Sequence, residues 1–321
     1  MAQPRLTTAL ADGGLTLPAG RVVVMRPPAG YDLSALAERP TIQHGFRPDW
    51  DYWAATGHEM VEEVPEAATA LVVVPRSKAL ARGMIATAAQ RAQLVVVDGQ
   101  RSEGVDSLWR DVRKILGEVP VIAKAHGRLM WFPGGDAFDT WANPGPLEGP
   151  EGYLTQPGVF SEGDVDRGSR LLVASLPARL PARVADLGAG WGYIAAEVLA
   201  RHPEIAELSL IEAEALALDC ARRNVTDPRA RFHWADATRA TGTYDAILTN
   251  PPFHASRAAD PGLGTAFIAA AARLLTPQGH LWLVANRHLP YEAALRERFA
   301  VVEEAGGDPA FKVFHAARPR R

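Results

Sequence analysis

The stretch Val184-Ala-Asp-Leu-Gly-Ala-Gly-Trp-Gly192 decides the fold of half this chain. Residues suited to a buried strand run into three glycines at alternating positions, and a helix-like stretch, Tyr193–Arg201, follows. Strand, glycine turn and helix together open an α/β unit. Glycines at such a turn let the backbone approach a ligand and adopt φ values closed to other residues. The helix that follows presents free N–H groups at its start. Either a dinucleotide or an adenosyl cofactor suits a loop of this kind, and spacing separates them. A dinucleotide site asks for G-x-G-x-x-G/A. Here the third glycine comes one position early and bulky Tyr193 stands where a small residue belongs, which argues against a pyrophosphate site.

Outward from that loop the pattern repeats. Strands are expected at Arg183–Leu187, Leu208–Glu212, Arg231–Trp234, Tyr244–Thr249 and His280–Ala285, with helices at Tyr193–Arg201, Ala215–Asn224 and Thr265–Leu275. Such alternation predicts a parallel sheet with helices on both faces. Thr276-Pro-Gln-Gly279 reads as a turn before the fifth strand, and Val301–Glu304 with Phe311–Ala316 as a closing pair of strands. The first half has the same style. Val22–Met25, Leu71–Val74 and Leu94–Val97 are buried-strand runs, and Lys78–Ala92 suits a crossover helix. That half has no comparable glycine loop; Val97-Asp-Gly-Gln-Arg-Ser-Glu-Gly104 has the wrong spacing. Residues 133–152 are dense in Pro and Gly and break regular structure. The boundary is placed there, giving domains 1–150 and 151–321.

The second informative stretch is Asn250-Pro-Pro-Phe253, directly after the strand ending at Thr249. Ligands of open α/β sheets bind beyond the carboxyl ends of the strands, so this loop and the glycine loop are expected to share one crevice. A rigid Pro-Pro turn accounts for the prolines but not for the Asn before them or the aromatic after. These residue types fit methylation of a conjugated amine or amide. Such a nitrogen is already unprotonated at neutral pH, but its lone pair is delocalised and must be turned toward the electrophile. Asn250 has a side-chain oxygen to accept one N–H, and the Pro251 carbonyl another, while the Pro251 and Pro252 rings stiffen the loop. Phe253 offers a face on which a flat acceptor stacks. His254 stands next, as a phosphate contact, a late proton carrier or simply a loop side chain.

Composition bounds the partners. A length of 321 residues, 47% of them hydrophobic, fits two domains with real cores. With 34 Lys and Arg against 37 Asp and Glu, bulk charge does not hold this chain to nucleic acid, so RNA binding would need a local basic patch. Cys220 is the single cysteine, which excludes a disulfide framework and a thiolate zinc cluster; no His/Cys/Asp set has ligand spacing, so no metal is expected. We read no signal peptide and no run of about 20 apolar residues, and expect a cytoplasmic protein without membrane attachment, working as a monomer.

Asp186-x-Gly188-x-Gly190-x-Gly192 resembles motif I of class I S-adenosyl-L-methionine-dependent methyltransferases. The resemblance implies that Asp186 and the backbone of Gly188, Ala189 and Gly190 hold the methionine part of the cofactor. Glu212, ending the next strand, would bind the ribose hydroxyls, and Asp236 with Ala237 would lie beside the adenine. Asn250 belongs to the cofactor crevice as well as to the acceptor. The competing reading of Glu212 and Asp236 is that they are helix caps or solvated acids.

Asn250-Pro-Pro-Phe-His254 is similar, more narrowly, to the N-P-P-F-H of bacterial ribosomal RNA (guanine-N2) methyltransferases of the RsmC/RlmG type. Pro157-Gly-Val-Phe-Ser161, Asp166-Arg-Gly-Ser169, Val284-Ala-Asn286, Leu289-Pro-Tyr291 and Phe311-Lys-Val-Phe314 resemble further signatures of that family. Val74-Pro-Arg-Ser-Lys78 and Gly99–Gly104 resemble its N-terminal domain more weakly. The implied architecture is α/β: two tandem Rossmann-like methyltransferase domains, the first degenerate and devoted to folding and RNA recognition. Phe160 and Ser161 would close over the cofactor, unless Phe160 is a core residue. The implied reaction moves a methyl group to N2 of a guanine in ribosomal RNA, small-subunit (16S) by expectation, leaving S-adenosyl-L-homocysteine. Three alternatives stand: a large-subunit target, a release-factor glutamine methyltransferase with the related Asn-Pro-Pro-Tyr loop, and a non-catalytic RNA-binding or assembly protein with a relic site. Arg167 and Arg170 near the crevice, the group Arg76, Lys78 and Arg82, and the tail Arg318–Arg321 are the cations available for RNA, within a ribosomal subunit or assembly intermediate.

Overall fold

The computed structural model describes residues 5–12, 14–161, 163–252 and 261–320. The chain divides into two compact units, Met1–Gly145 and Pro146–Arg321, and the division falls inside the Pro/Gly-rich stretch.

In the first unit a seven-stranded sheet comprises β1 (Val22–Met25), β2 (Thr41–Gln43), β3 (Met60–Val61), β4 (Ala67–Val73), β5 (Ala92–Gln100), β6 (Val121–Lys124) and β7 (Gly127–Pro133), in the order β3-β2-β1-β4-β5-β7-β6. Helices α1 (Arg5–Ala11), α2 (Arg47–Ala55), α3 (Lys78–Arg91) and α4 (Val105–Leu116) belong to it. Ser77 starts α3, its hydroxyl accepting from the Leu80 N–H at 3.2 Å. The valine-rich runs are buried strands, as a sheet covered on both faces requires.

The second unit opens with a short antiparallel pair, β8 (Leu147–Glu148) and β9 (Leu154–Thr155), and then α5 (Arg167–Ala174). The sheet follows: β10 (Arg183–Leu187), β11 (Glu207–Glu212), β12 (Ala230–Trp234), β13 (Tyr244–Thr249), β14 (Leu275–Asn286), β15 (Phe299–Gly307) and β16 (Phe311–Pro319). Between its strands lie α6 (Tyr193–Arg201), α7 (Ala215–Asn224), α8 (Pro261–Leu274) and α9 (Tyr291–Arg298). The order β12-β11-β10-β13-β14-β16-β15 repeats that of the first sheet. β10 to β14 run parallel, and only β16 is antiparallel to its neighbours. One face packs Val184, Leu208, Leu210, Ala246 and Leu248 on α5, α6 and α7; the other packs Ala185, Leu187, Ile247 and Leu283 on α8 and α9.

The expected turn at Thr276–Gly279 is corrected by the structure. These residues lie within β14, as an irregularity where the pairing jumps from Tyr244↔Leu275 to Ala246↔His280. Proline and glycine interrupt the ladder there without ending the strand.

Gly192 shows why the third glycine of the loop cannot be another residue. Its φ is 92°, and a Cβ would lie 2.9 Å from Val225 Cγ2 and 3.2 Å from Ala221 Cβ, where α6 starts against α7. Gly192→Ala is therefore expected to lower stability by about 1–3 kcal/mol, read as a lower denaturation midpoint of the full chain.

Candidate active site

β10 and β13 are adjacent parallel strands paired from Val184↔Ala246 to Leu187↔Thr249. The Thr249 hydroxyl donates to the Leu187 carbonyl at 2.7 Å. The loops after both strands therefore leave the sheet at one level. Gly188, Gly190 and Gly192 all have positive φ, 74°, 57° and 92°. The loop is tied to β11 by the Gly188 and Ala189 N–H groups, which donate to the Ile211 carbonyl at 2.9 and 3.3 Å. A pocket beside it is lined by Phe160, Ser169, Gly188, Gly190, Tyr193 and Asn250, among others. Tyr193 is buried, edge-on to Tyr153 and Trp191, so its bulk is core packing behind the loop.

Two carboxylates sit below the loop in different states. Glu212 is spanned by backbone donors: its oxygens accept from the Gly190 N–H at 2.8 Å and the Glu214 N–H at 2.7 Å. Burial raises its pKa, and those N–H groups offset only part of the rise. It shapes the loop, and each oxygen keeps lone-pair capacity for a further donor. Asp186 is fully buried, and neither of its oxygens has a partner among the described residues. Burial first, and the Glu212 charge second, push its pKa up to about 8. A buried acceptor pair left unsatisfied is unfavourable for the protein alone. It is what a site awaiting a cationic, donor-rich ligand looks like, and S-adenosyl-L-methionine carries an ammonium and a sulfonium.

Asn250, just past β13, is held through its amide nitrogen. Nδ2 donates to Asp166 Oδ2 at 2.7 Å and to Ser169 Oγ at 2.9 Å, while Oδ1 is buried and has no partner among the described residues. Asp166 is also the N-cap of α5, accepting from the Ser169 N–H at 2.8 Å. The sequence reading valued Asp166 and Ser169 only as a signature; their contact with Asn250 spans more than eighty positions and has no local sequence signal.

Asp236 Oδ1 caps a turn, accepting from the N–H and hydroxyl of Thr238 at 2.8 and 2.7 Å. Its other oxygen lies 3.9 Å from the Arg239 guanidinium. Neighbouring Ala237 is buried. Phe160 is not core: the residue is 62% exposed and lines the pocket, and its carbonyl accepts from Trp191 Nε1 at 3.1 Å. Ser161 lines the same pocket with φ 58°, its hydroxyl donating to the Asp164 carbonyl at 2.6 Å. Pro251 is buried and Pro252 exposed; Phe253 and His254 lie outside the described residues. Arg167 pairs with Asp308 at 2.8 Å, Arg170 with Glu151 at 2.5 Å, and Lys78 and Arg82 both with Asp111, at 2.6 and 2.7 Å. No group of His, Cys, Asp and Glu fit to hold a metal occurs among the described residues.

Fold and site together define a class I methyltransferase. The family model of the methyltransferase small domain matches residues 152–315. The chain is 31% identical to the ribosomal RNA small subunit methyltransferase C of Shewanella halifaxensis, over 77% of this chain and 76% of that protein. It is 31% identical to the ribosomal RNA large subunit methyltransferase G of Aeromonas salmonicida, over 89% and 80%. Its fold matches the T. thermophilus 16S rRNA N2 G1207 methyltransferase (RsmC), solved with AdoMet and guanosine, with TM-score 0.76 and 22% identity, covering 95% of this chain and 90% of that one. The chain belongs to the RsmC/RlmG-type methyltransferase family.

The state of Asp186 gives a pH signature. Its folded pKa is raised above the unfolded value, so the native state holds a proton that the unfolded chain releases. Stability from this group is intact below about pH 4 and falls as pH rises toward about 8. Asp186→Asn should thus stabilise the cofactor-free protein by at least ~2 kcal/mol at pH 8 and little at pH 4, seen in melting curves at the two pH values. The same variant should lose most of its affinity for S-adenosyl-L-methionine, measured by calorimetry.

Proposed function

We propose that this chain transfers a methyl group from S-adenosyl-L-methionine to the exocyclic N2 of a guanine in ribosomal RNA, with small-subunit (16S) RNA as its target. The observation behind the chemistry is Asn250, whose oxygen is buried and unpartnered while its nitrogen is fixed. That arrangement suits acceptance of one N–H from a flat amine. In this reading the carbonyl of Pro251, a residue that has no N–H of its own, accepts the second.

In this reading Asp186, Glu212 and the backbone of Gly188, Ala189 and Gly190 hold the cofactor. Asp236 and Ala237 lie toward its adenine, and Phe160 and Ser161 close over it. The bound cofactor supplies an electrophilic methyl on sulfur. Asn250 and the Pro251 carbonyl turn the N2 lone pair toward that carbon, and Phe253 stacks on the base. N2 forms the new bond as the carbon–sulfur bond breaks, and then sheds its proton, having become acidic. Positioning does most of the work. The small-subunit target is supported by the relatives named ribosomal RNA small subunit methyltransferase C, and the guanine N2 by the resemblance of Asn250-Pro-Pro-Phe-His254 to the N-P-P-F-H of guanine-N2 methyltransferases. The relative named as large subunit methyltransferase G favours a second reading, a large-subunit guanine.

The N-terminal unit, 1–150 by the sequence division, is proposed to bind no cofactor and to serve folding and RNA recognition, beside a catalytic domain at 151–321. The loop after β1 is Arg26-Pro-Pro-Ala-Gly30 and the loop after β4 is Val74-Pro-Arg-Ser77, so neither motif recurs. No helix among the described residues is long and apolar enough to cross a membrane. We place the protein in the cytoplasm, as a monomer acting on a ribosomal subunit or assembly intermediate.

Asn250→Ala should lower methyl transfer to rRNA by about 100-fold or more, with S-adenosyl-L-methionine affinity largely kept. Mass mapping of modified guanines in both subunits, from cells lacking this protein with and without complementation, reads the target. Near-normal turnover of the variant would refute the role of Asn250, and unchanged guanines in both subunits would refute the substrate.

A further inference from the structure

An asparagine amide presents either an acceptor or two donors to whatever it faces, depending on a half-turn about one bond. An exocyclic amine needs the acceptor. A flipped Asn250 would set N–H against N–H and turn the lone pair the wrong way. Something in the protein must therefore hold one orientation.

Resting on the methyl-transfer reading, we infer that Asp166-Arg-Gly-Ser169 is a clamp that sets the polarity of the Asn250 amide. Asp166 Oδ2 and Ser169 Oγ both take Nδ2 as donor, at 2.7 and 2.9 Å. A carboxylate only accepts, so Asp166 rejects the flipped amide, while the Ser169 hydroxyl, able to donate or accept, adds a second bond to the orientation Asp166 selects. Gly168 belongs to the same device. A Cβ there would lie 3.0 Å from Asp166 Oδ2, 3.3 Å from Phe311 Cε1 and 3.5 Å from Asn250 Nδ2. The first turn of α5 comes this close to Asn250 only because position 168 has no side chain. Asp166 thus has two duties on one oxygen, capping α5 and holding the amide. All three are positioning residues, acting on the acceptor through Asn250.

The two duties separate by substitution. Asp166→Ser keeps a good N-cap but its oxygen is too short to reach Nδ2. Asp166→Asn restores an acceptor of the original length. Gly168→Ala ordinarily favours a helix but crowds the clamp. With tritiated S-adenosyl-L-methionine and unmodified 30S or 50S subunits, Asp166→Ser and Gly168→Ala should lower kcat by about tenfold or more, the scale of one hydrogen bond to an ionised group. Melting temperature and cofactor Kd should stay near wild type, and Asp166→Asn should recover most of the loss. Turnover at the wild-type rate in Asp166→Ser, or loss only in step with melting temperature and cofactor binding, would overturn the clamp. A second readout does not depend on the RNA target. The side-chain amide protons of Asn250, identified as the NMR pair missing in Asn250→Ala, should exchange slowly in wild type and faster in Asp166→Ser. Equal exchange overturns the clamp even if no guanine is methylated. Slow exchange with no methylation upholds it and overturns the substrate.

Discussion

Two neighbouring parallel strands that end level are the constraint on which this site depends. β10 and β13 stay paired up to Leu187 and Thr249, and a side-chain hydrogen bond joins those last residues. The glycine loop and the loop that begins with Asn250 therefore line one pocket. Had either strand run two residues longer, its loop would stand roughly 7 Å further out, and the glycines and Asn250 would no longer share a pocket. The topological switch at the sheet's centre, where β10 has β11 on one side and β13 on the other, opens the crevice there.

Local sequence made most of this frame readable. β10, β13, α6 and α7 begin and end where the hydrophobic runs and glycines place them, because each is flanked by a residue with a strong local preference. Gly188, Gly190 and Gly192 are legible for the same reason: a positive φ is a demand on a single residue. The turn expected at Thr276–Gly279 went the other way, because neighbours on both sides hold β14 in the sheet across the irregularity. Asp166 and Ser169 were legible as a motif but not in their role, since their contact with Asn250 joins the start of α5 to the end of β13. The exposure of Phe160 was not readable either, as an aromatic beside apolar neighbours looks alike in core and rim.

The electrostatics follow from the same architecture. Glu212 is the last residue of β11, where the backbone N–H groups of Gly190 and Glu214 reach it. Asp186 is one position inside its strand's end, on the face packed by helices, and has no hydrogen-bond partner among the described residues. A carboxyl so placed is held neutral up to about pH 8 by burial, and a cation arriving beside it shifts that balance toward the ionised form.

The first sheet shows the opposite solution on the same strand order. Its buried carboxylate, Asp98 on β5, is fully engaged: the Arg5 guanidinium donates to both oxygens at 2.5 and 3.1 Å, and the Tyr31 hydroxyl to one at 2.8 Å. β1, Val22-Val-Val-Met25, has no acid, and β2 ends on Gln43 where β11 ends on Glu212. Ser77, in the loop that follows β4, spends its oxygen capping α3. An unsatisfied buried acid is unfavourable unless a ligand compensates it. In the first sheet Asp98 is paired internally and β1 carries valines, with the Thr69 hydroxyl left unpartnered among the described residues; in the second sheet it is a carboxyl, Asp186, and the Asn250 amide oxygen beside the pocket that have no partner among the described residues.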